Sequence, residues 1–243
     1  LIGLAVAWVL LFPPLPLLNT VLTQVCPGAV YGVETQEKKI ALTIDDAPHF
    51  QPETTRPLLH LLAQHQARAT FFIITDKIAS PQPSTEAKNA LIQDLVAQGH
   101  ELGNHLTRDE PSIHLGDRFA IEVARAQAVL SPYAPQAWLR PGGGWCNRQM
   151  MAVAQQRGYQ VALGSIWPYD TLIRHPGFAA WFILQNLRPG AIVILHDAGS
   201  QGVWGQSTYQ TLRRILPILK RRGYQVVTLS ELLQTGRLRR AEL

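Results

Sequence analysis

The chain has 243 residues, 47% of them hydrophobic, which supports a full core without a disulfide framework or a structural metal and suits one large domain. Its formal charge of +5 comes largely from Arg213, Arg214, Lys220, Arg221, Arg222, Arg237, Arg239 and Arg240, which read as a solvated helix face and a basic tail. No nucleic-acid-binding motif accompanies that charge, so no nucleic acid partner is expected. Cys26 and Cys146 could pair, but two cysteines make no framework and fix no redox compartment.

Residues 1–33 carry no charged side chain. From Leu1 to Phe12 the sequence is apolar apart from Gly3, and Pro13, Pro14 and Pro16 then interrupt it. The run is too short to span a bilayer. It reads as the end of a signal anchor or signal-peptide core, or as an apolar arm packed on the domain. Export or anchoring at the cell envelope, with membrane association through this segment, is expected over a cytoplasmic location.

Strand-like and helix-like stretches alternate from about residue 38 onward. Strands are predicted at 39–44, 69–74, 100–103, 137–140, 160–163, 191–195 and 225–229. Helices are predicted at 54–65, 85–98, 116–130, 148–157, 176–187 and 208–222. Gly99, Gly158, Gly190 and Gly223 follow helices as C-caps. The strands are short and mostly non-alternating, as expected where both faces are buried. Residues 30–35 are expected to form a hairpin with 39–44. Successive β/α units predict an irregular (β/α)7–8 barrel over 34–243, preceded by the 1–33 arm; an open doubly wound sheet is the alternative.

Polar residues recur at the C-terminal ends of these strands: Asp45-Asp46, Asn104-His105, Arg140, Asp170 and His196-Asp197. In β/α barrels that rim builds the active site. Two adjacent carboxylates repel unless a cation separates them or their tasks differ. His105 and Asp109, four apart, would share one face of a helical turn and, with a strand-end Asp, offer three metal donors. Two oxygens and a nitrogen suit zinc foremost, and also cobalt, nickel or manganese. The same residues fit a structural reading, with His105 a buried hydrogen-bonder and Asp109 a turn cap. Arg140 at a strand end suits a carboxylate clamp. Gly142, Gly143 and Gly144 allow close backbone approach and offer amides to an oxyanion. His196 is a candidate general acid.

Thr43-Ile44-Asp45-Asp46-Ala47-Pro48, the His105 segment, Arg140-Pro141, Asp170 and Leu195-His196-Asp197 have the order and spacing of the five motifs of NodB-type polysaccharide deacetylases, carbohydrate esterase family four. The chain resembles that family over residues 38 to 230. The resemblance implies a metal-dependent hydrolase that removes N-acetyl groups from a chitin-, peptidoglycan- or other envelope-type glycan. It implies Asp45 as catalytic base, Asp46 and His105 as metal ligands, Arg140 as the residue orienting the base, and Asp170 as the partner of the acid His196. The family usually has a second histidine where Asp109 stands; Asp109 keeps a metal-competent group there, and His114 is a rival. Ala47 replaces a usual glycine. The Gly142–Gly144 run replaces a bulkier residue and is expected to widen the groove. Thr171 stands where an aromatic is common.

Trp145, Trp167, Tyr169 and Trp204 lie on these loops, where sugar rings would stack, whereas Trp138 and Trp181 read as core. His49, His60, His65 and His175 show no partner pattern. Gly144 and Trp145 are expected to present amides to the oxyanion. The alternatives are hydrolysis of a non-sugar amide or an O-acetyl ester, and an inactive carbohydrate-binding homologue. The glycan, the metal and the oligomeric state are not legible in the sequence.

Overall fold

The computed structural model describes residues 9–50, 54–79, 84–197 and 203–241, without the side chains of Val203 and Trp204. Nine strands alternate with helices: β1 Val30–Glu34, β2 Lys39–Ala47, β3 Thr70–Ile73, β4 Glu101–Asn104, β5 Trp138–Leu139, β6 Gln160–Val161, β7 Ile192–His196, β8 Gln225–Val227 and β9 Arg237–Arg240. The helices are α1 Leu15–Val25, α2 Thr55–Gln64, α3 Thr75–Ala79, α4 Thr85–Ala97, α5 Arg118–Leu130, α6 Arg148–Gln156, α7 Pro176–Gln185, α8 Val203–Arg221 and α9 Leu229–Leu233.

Seven strands form one parallel sheet in the order β6-β5-β4-β3-β2-β7, with β8 also on β2. The sheet curls, and the chain just after β6 closes it: Ser165 and Ile166 donate their amides to Ile192 O, and Ile194 donates to Ile166 O at 2.9 Å. This is the barrel-like architecture expected, and the doubly wound alternative is excluded.

Strand periodicity sorts the side chains. Along β2, Ile40, Leu42 and Ile44 pack outward in the cluster that takes in Leu58, Leu62, Leu95, Ile183 and Leu216 of the surrounding helices. The intervening Ala41 belongs to the interior cluster with Phe72, Trp138 and Ile192. Thr43 and Asp45 continue that inward file. The alternation therefore aims Asp45 into the barrel at its C-terminal rim.

Residues 30–35 do not pair with β2 as a hairpin. Both edges of β2 are taken, by β7 on one side and by β8 and then β3 on the other. β1 pairs antiparallel with β9. The expected basic tail is therefore partly a strand, with Arg240 donating to Gln160 Oε1 at 2.8 Å and to Gly28 O at 3.3 Å. The basic helix face is as expected, with Arg213, Arg214, Lys220, Arg221 and Arg222 exposed. Helix α1 was not anticipated: the prolines read as breaks, yet one sits at its first turn, where the missing N–H costs nothing. Cys26 and Cys146 form a disulfide across a sequence separation of 120, tying the end of α1 to the Gly-rich loop. No described helix is long and apolar enough to cross a membrane.

Gly99, Gly158 and Gly223 adopt the left-handed conformation just past a helix end, as expected of C-caps, whereas Gly190, also left-handed, sits in a turn four residues beyond Asn186, the cap of α7. Gly190 is further constrained, because a Cβ there would lie 1.8 Å from Val33 O, whereas at Gly158 it would meet nothing within 4 Å. Gly190→Ala is expected to cost about 3 kcal/mol or more and Gly158→Ala about 1 kcal/mol, since only the first adds a backbone clash to the left-handed penalty. Urea unfolding of both variants checks this, and equal losses would contradict it.

Candidate active site

The site is built on a buried ion pair. Arg140, just beyond β5, is 2% exposed. Its Nη1 donates to Asp45 Oδ1 at 2.5 Å and to Thr43 Oγ1 at 2.8 Å; its Nε donates to Ala162 O at 3.0 Å and its Nη2 to Leu163 O at 3.2 Å. The guanidinium also lies 4.1 Å over the Phe72 ring. Phe72 is set in turn by Gly103, where a Cβ would sit 2.6 Å from the ring. Burial lowers the Arg140 pKa against the opposing pull of Asp45.

Across the β2–β7 ladder, Asp45 is in register with His196. His196 Nδ1 lies 3.1 Å from both carboxyl oxygens of Asp170, and Asp170 Oδ2 also accepts from the His196 amide at 3.0 Å. Burial depresses the imidazole, but the charge and hydrogen bond of Asp170, then the charges of Asp45 and Asp46, raise its pKa to about 9. The site thus holds one carboxylate against a guanidinium and one imidazolium against a carboxylate.

Asp46 and His105 stand beside these pairs. His105 Nδ1 is 2.7 Å from Arg140 O, so that nitrogen carries a proton, and Nε2 faces Asp46 Oδ1 at 3.4 Å, donating to it when the ring is charged and offering a lone pair where a cation displaces that proton. Burial pushes Asp46 up, but the hydrogen bond and charge of His105, then His196 and Lys77, hold its pKa at about 2. His105 is raised: burial opposes this, and Asp46, Asp45 and the Arg140 carbonyl outweigh it. Two lone-pair donors converging on one gap fit a cation, the chemistry required of two ligands in a divalent-metal site.

The third donor is placed differently from expectation. Residues 105–111 form no helical turn, so His105 and Asp109 do not share a helix face. The segment is zipped onto α3 instead: Leu106 O and Thr107 O accept the Thr75 and Asp76 amides at 3.1 and 3.0 Å, and Arg108 pairs with Asp76 at 3.0 Å. Asp109 is left at the exposed rim, where partial shielding from water and then the Asp46 charge raise its pKa. No group of three His, Cys, Asp or Glu among the described residues is close enough to hold a metal. His114 is exposed at the end of the short 3-10 turn Ser112–His114.

The glycine run does not widen a groove at Gly142. A Cβ there would lie 2.2 Å from Glu110 O, and the Gly142 amide donates to Ser112 Oγ at 2.7 Å, so the backbone of the Asp109 loop fills the vacant side-chain space. The Gly144 amide is spent on Pro141 O at 3.0 Å and is not available to an oxyanion. Trp145 is 55% exposed. Trp167 packs on Tyr169 with ring centroids 4.8 Å apart. Trp138 is core as expected, but Trp181 is 39% exposed; it stands on the outer face of α7, an apolar helix with only one buried side. Trp204 is in the first turn of α8, and its side chain lies outside the described residues.

Thr43 and Lys77 escaped the sequence reading, and Asp197 was named there only as a strand-end residue without a role. Thr43 shares the Arg140 guanidinium. Lys77 Nζ donates to Asp46 O at 2.5 Å. Asp197, buried, accepts from Thr54 Oγ1 at 2.6 Å and from Thr55, and its amide donates to Asp45 O at 2.9 Å. Lys77 follows the end of β3, so the strand-end rule that found the others also covered it. Backbone strain marks the same rim: among the described residues Asp46, Leu106 and Tyr169 are three of the four non-glycine residues with positive φ, each at or next to a site residue.

The sequence profile of the family described as polysaccharide deacetylase matches residues 32–162. The chain belongs to the polysaccharide deacetylase family. A curated relative, the peptidoglycan-N-acetylglucosamine deacetylase of Bacillus cereus, is 33% identical over 209 residues, covering 84% of this chain and 92% of its own. A crystal structure of a peptidoglycan N-acetylglucosamine deacetylase bound to a hydroxamate superposes with a TM-score of 0.75 at 23% identity, over 88% of this chain and 96% of that one, and shows the shared fold. A family 4 acetyl xylan esterase from Clostridium thermocellum, solved with a cobalt ion, gives a TM-score of 0.70 at 27% identity over 81% of this chain and 91% of its own.

The Gly103–Phe72–Arg140 stack is testable by a double-mutant cycle. Gly103→Ala is expected to cost about 1–3 kcal/mol in the wild type and to lose at least about 0.5 kcal/mol of that cost in a Phe72→Leu background, where the ring no longer blocks the Cβ. Additive losses in chemical denaturation would show that the ring does not transmit the strain.

Proposed function

We propose that this protein is a divalent-cation-dependent hydrolase that releases acetate from the N-acetyl groups of an N-acetylglucosamine-containing envelope glycan. The observation that carries the reading is the pair of opposed, charge-matched couples in register across β2 and β7: Arg140–Asp45 and Asp170–His196. A carboxylate held by a guanidinium and an imidazole held protonated by a carboxylate, on the two sides of one strand pair, supply the base and the acid that hydrolysis of an unactivated amide requires.

Asp46 and His105 would hold the cation, with Asp109 brought in from the rim as the third donor. A cation bound there supplies Lewis-acid polarisation of the acetyl carbonyl and eases deprotonation of water. Asp45 takes the proton from the attacking water, and Arg140 fixes the position of its carboxylate. As the carbonyl carbon becomes tetrahedral, its oxygen gains negative charge, and the Trp145 amide, which has no hydrogen bond to any described residue, is the backbone donor assigned to it in place of Gly144. His196 gives its proton to the departing nitrogen, the C–N bond breaks, and acetate and a free amino sugar leave. Trp145, Trp167, Tyr169 and Trp204 are assigned to the sugar rings.

The test is acetate release from N-acetylglucosamine oligomers and from acetylated xylan. Release from the oligomers, abolished by a chelator and restored by zinc or cobalt, is expected. Release from xylan alone would favour the O-acetyl ester reading, for which the structural likeness to the xylan esterase speaks. Binding of the oligomers without any release would favour an inactive carbohydrate-binding homologue.

The acid also carries a pH signature. His196 must be protonated to act, so activity should persist up to its pKa of about 9 and fall as pH rises through it. Asp170 is the chief cause of the upward shift, so Asp170→Asn should move the alkaline limb of kcat down towards the ordinary histidine value of 6.5. An alkaline limb that stays in place would remove His196 from the acid role.

A further inference from the structure

Several large apolar side chains left in water gather around the loop that carries Asp170, while Leu17, Val21, Ile121 and Trp145 are exposed on other elements. Among the described residues Leu172 is 72% exposed, Leu10 55% and Trp181 39%. Contacts join them into one face around the loop that carries Asp170. Tyr169 Oη donates to Leu10 O at 3.0 Å. The amides of Leu172 and Ile173 donate to Tyr169 O at 2.9 and 2.7 Å. Phe12 lies edge-on to Trp181 with ring centroids 5.8 Å apart. A face of this kind beside a site marks a surface that meets something apolar.

The charges around it identify the partner. Residues 9–33 contain none. From Trp167 to Ser230 the acidic residues are Asp170 and Asp197, both buried in the site, while Arg174, Arg213, Arg214, Lys220, Arg221 and Arg222 are exposed. The basic row runs along α8, which is fastened to α7, the helix of Trp181, by Arg222 Nη1 donating to Leu184 O at 3.2 Å. Half-exposed tryptophans and aliphatics on a segment whose exposed charges are all cationic complement anionic headgroups lying over hydrocarbon. A nucleic acid would match the cations but not the aliphatics. A protein partner would bury the apolar face but has no general need for an acid-free border.

We propose that this face docks on an anionic membrane surface, turning the Asp170 side of the active-site rim towards glycan held at the membrane. The docking stands on the surface alone; the choice of a membrane-held glycan rests on the deacetylase reading.

The test is co-sedimentation of the full chain with phosphatidylcholine vesicles, with and without phosphatidylglycerol, alongside acetate release from a soluble N-acetylglucosamine oligomer. Binding is expected to need the anionic lipid and to weaken with salt. Brominated acyl chains should quench tryptophan fluorescence. Leu172→Asp/Ile173→Asp is expected to reduce binding at least about tenfold, because two apolar side chains leave the bilayer. Turnover of the soluble oligomer by the same variant, measured alongside, reports separately on the neighbouring Asp170 loop. Arg213→Glu/Arg214→Glu should reduce the preference for anionic vesicles. Absence of vesicle binding, equal binding to neutral vesicles, or undiminished binding of Leu172→Asp/Ile173→Asp would overturn the proposal. So would sedimentation behaviour showing that the double variant instead breaks a dimer, for a second copy would then be the occupant. Vesicle binding that responds to both variants, with no acetate released by the wild type, would uphold docking and reject the deacetylase reading.

Discussion

The Arg140–Asp45 ion pair is the constraint around which the rest of the site is arranged. Two opposite charges inside a barrel are costly unless every hydrogen-bonding group is satisfied. Here the guanidinium is satisfied from four directions: Asp45, Thr43, Ala162 O and Leu163 O. Those partners come from β2 and from the chain just after β6, so the pair also fastens parts of the sheet that pair with different neighbours. The backbone carbonyl of the same arginine orients His105. One residue therefore sets the carboxylate proposed as base and the imidazole proposed as ligand.

The two adjacent aspartates are distinguished by strand geometry. Asp45 continues the inward file of Ala41 and Thr43 and meets Arg140. Asp46 leaves the strand pattern with φ at 60° and turns its carboxylate to His105, while Lys77 anchors its carbonyl. A left-handed aspartate is tolerated because those contacts hold it, and without the turn both carboxylates could not reach different partners. On the far side of β2, Asp197 bonds Thr54 and Thr55 and passes its amide to Asp45 O, so the loop after β2 is tied to the end of β7.

Much of this was legible in the sequence because it follows from periodicity. Short apolar strands followed by capped helices gave the barrel order, and polar residues at strand ends gave Asp45, Asp46, His105, Arg140, Asp170 and His196. Long-range pairing was not legible. β1 resembles a hairpin partner of β2 only if β2 is an edge, and nothing local says that β7 takes one side of it and β8 and β3 the other. The loop after His105 was misjudged for a similar reason. A four-residue spacing suggests a helix face, but hydrogen bonds to α3, distant in sequence, hold the segment extended and leave Asp109 at the rim. The glycine run was read as free space, whereas the space at Gly142 belongs to the Glu110 carbonyl. Trp181 looked like core because its helix is apolar all round, and sequence cannot say which side of such a helix stays uncovered.

The central claim is the division of labour between Asp45 and Asp46, and it is tested most directly in one variant measured two ways. Asp45→Asn, titrated with cobalt or zinc by calorimetry and assayed for acetate release on the same preparation, separates the tasks. The account predicts cation affinity within a few-fold of wild type, because Asp46 and His105 are untouched, and a fall in turnover of about a hundredfold or more through loss of the base. Full turnover with the cation bound would contradict it.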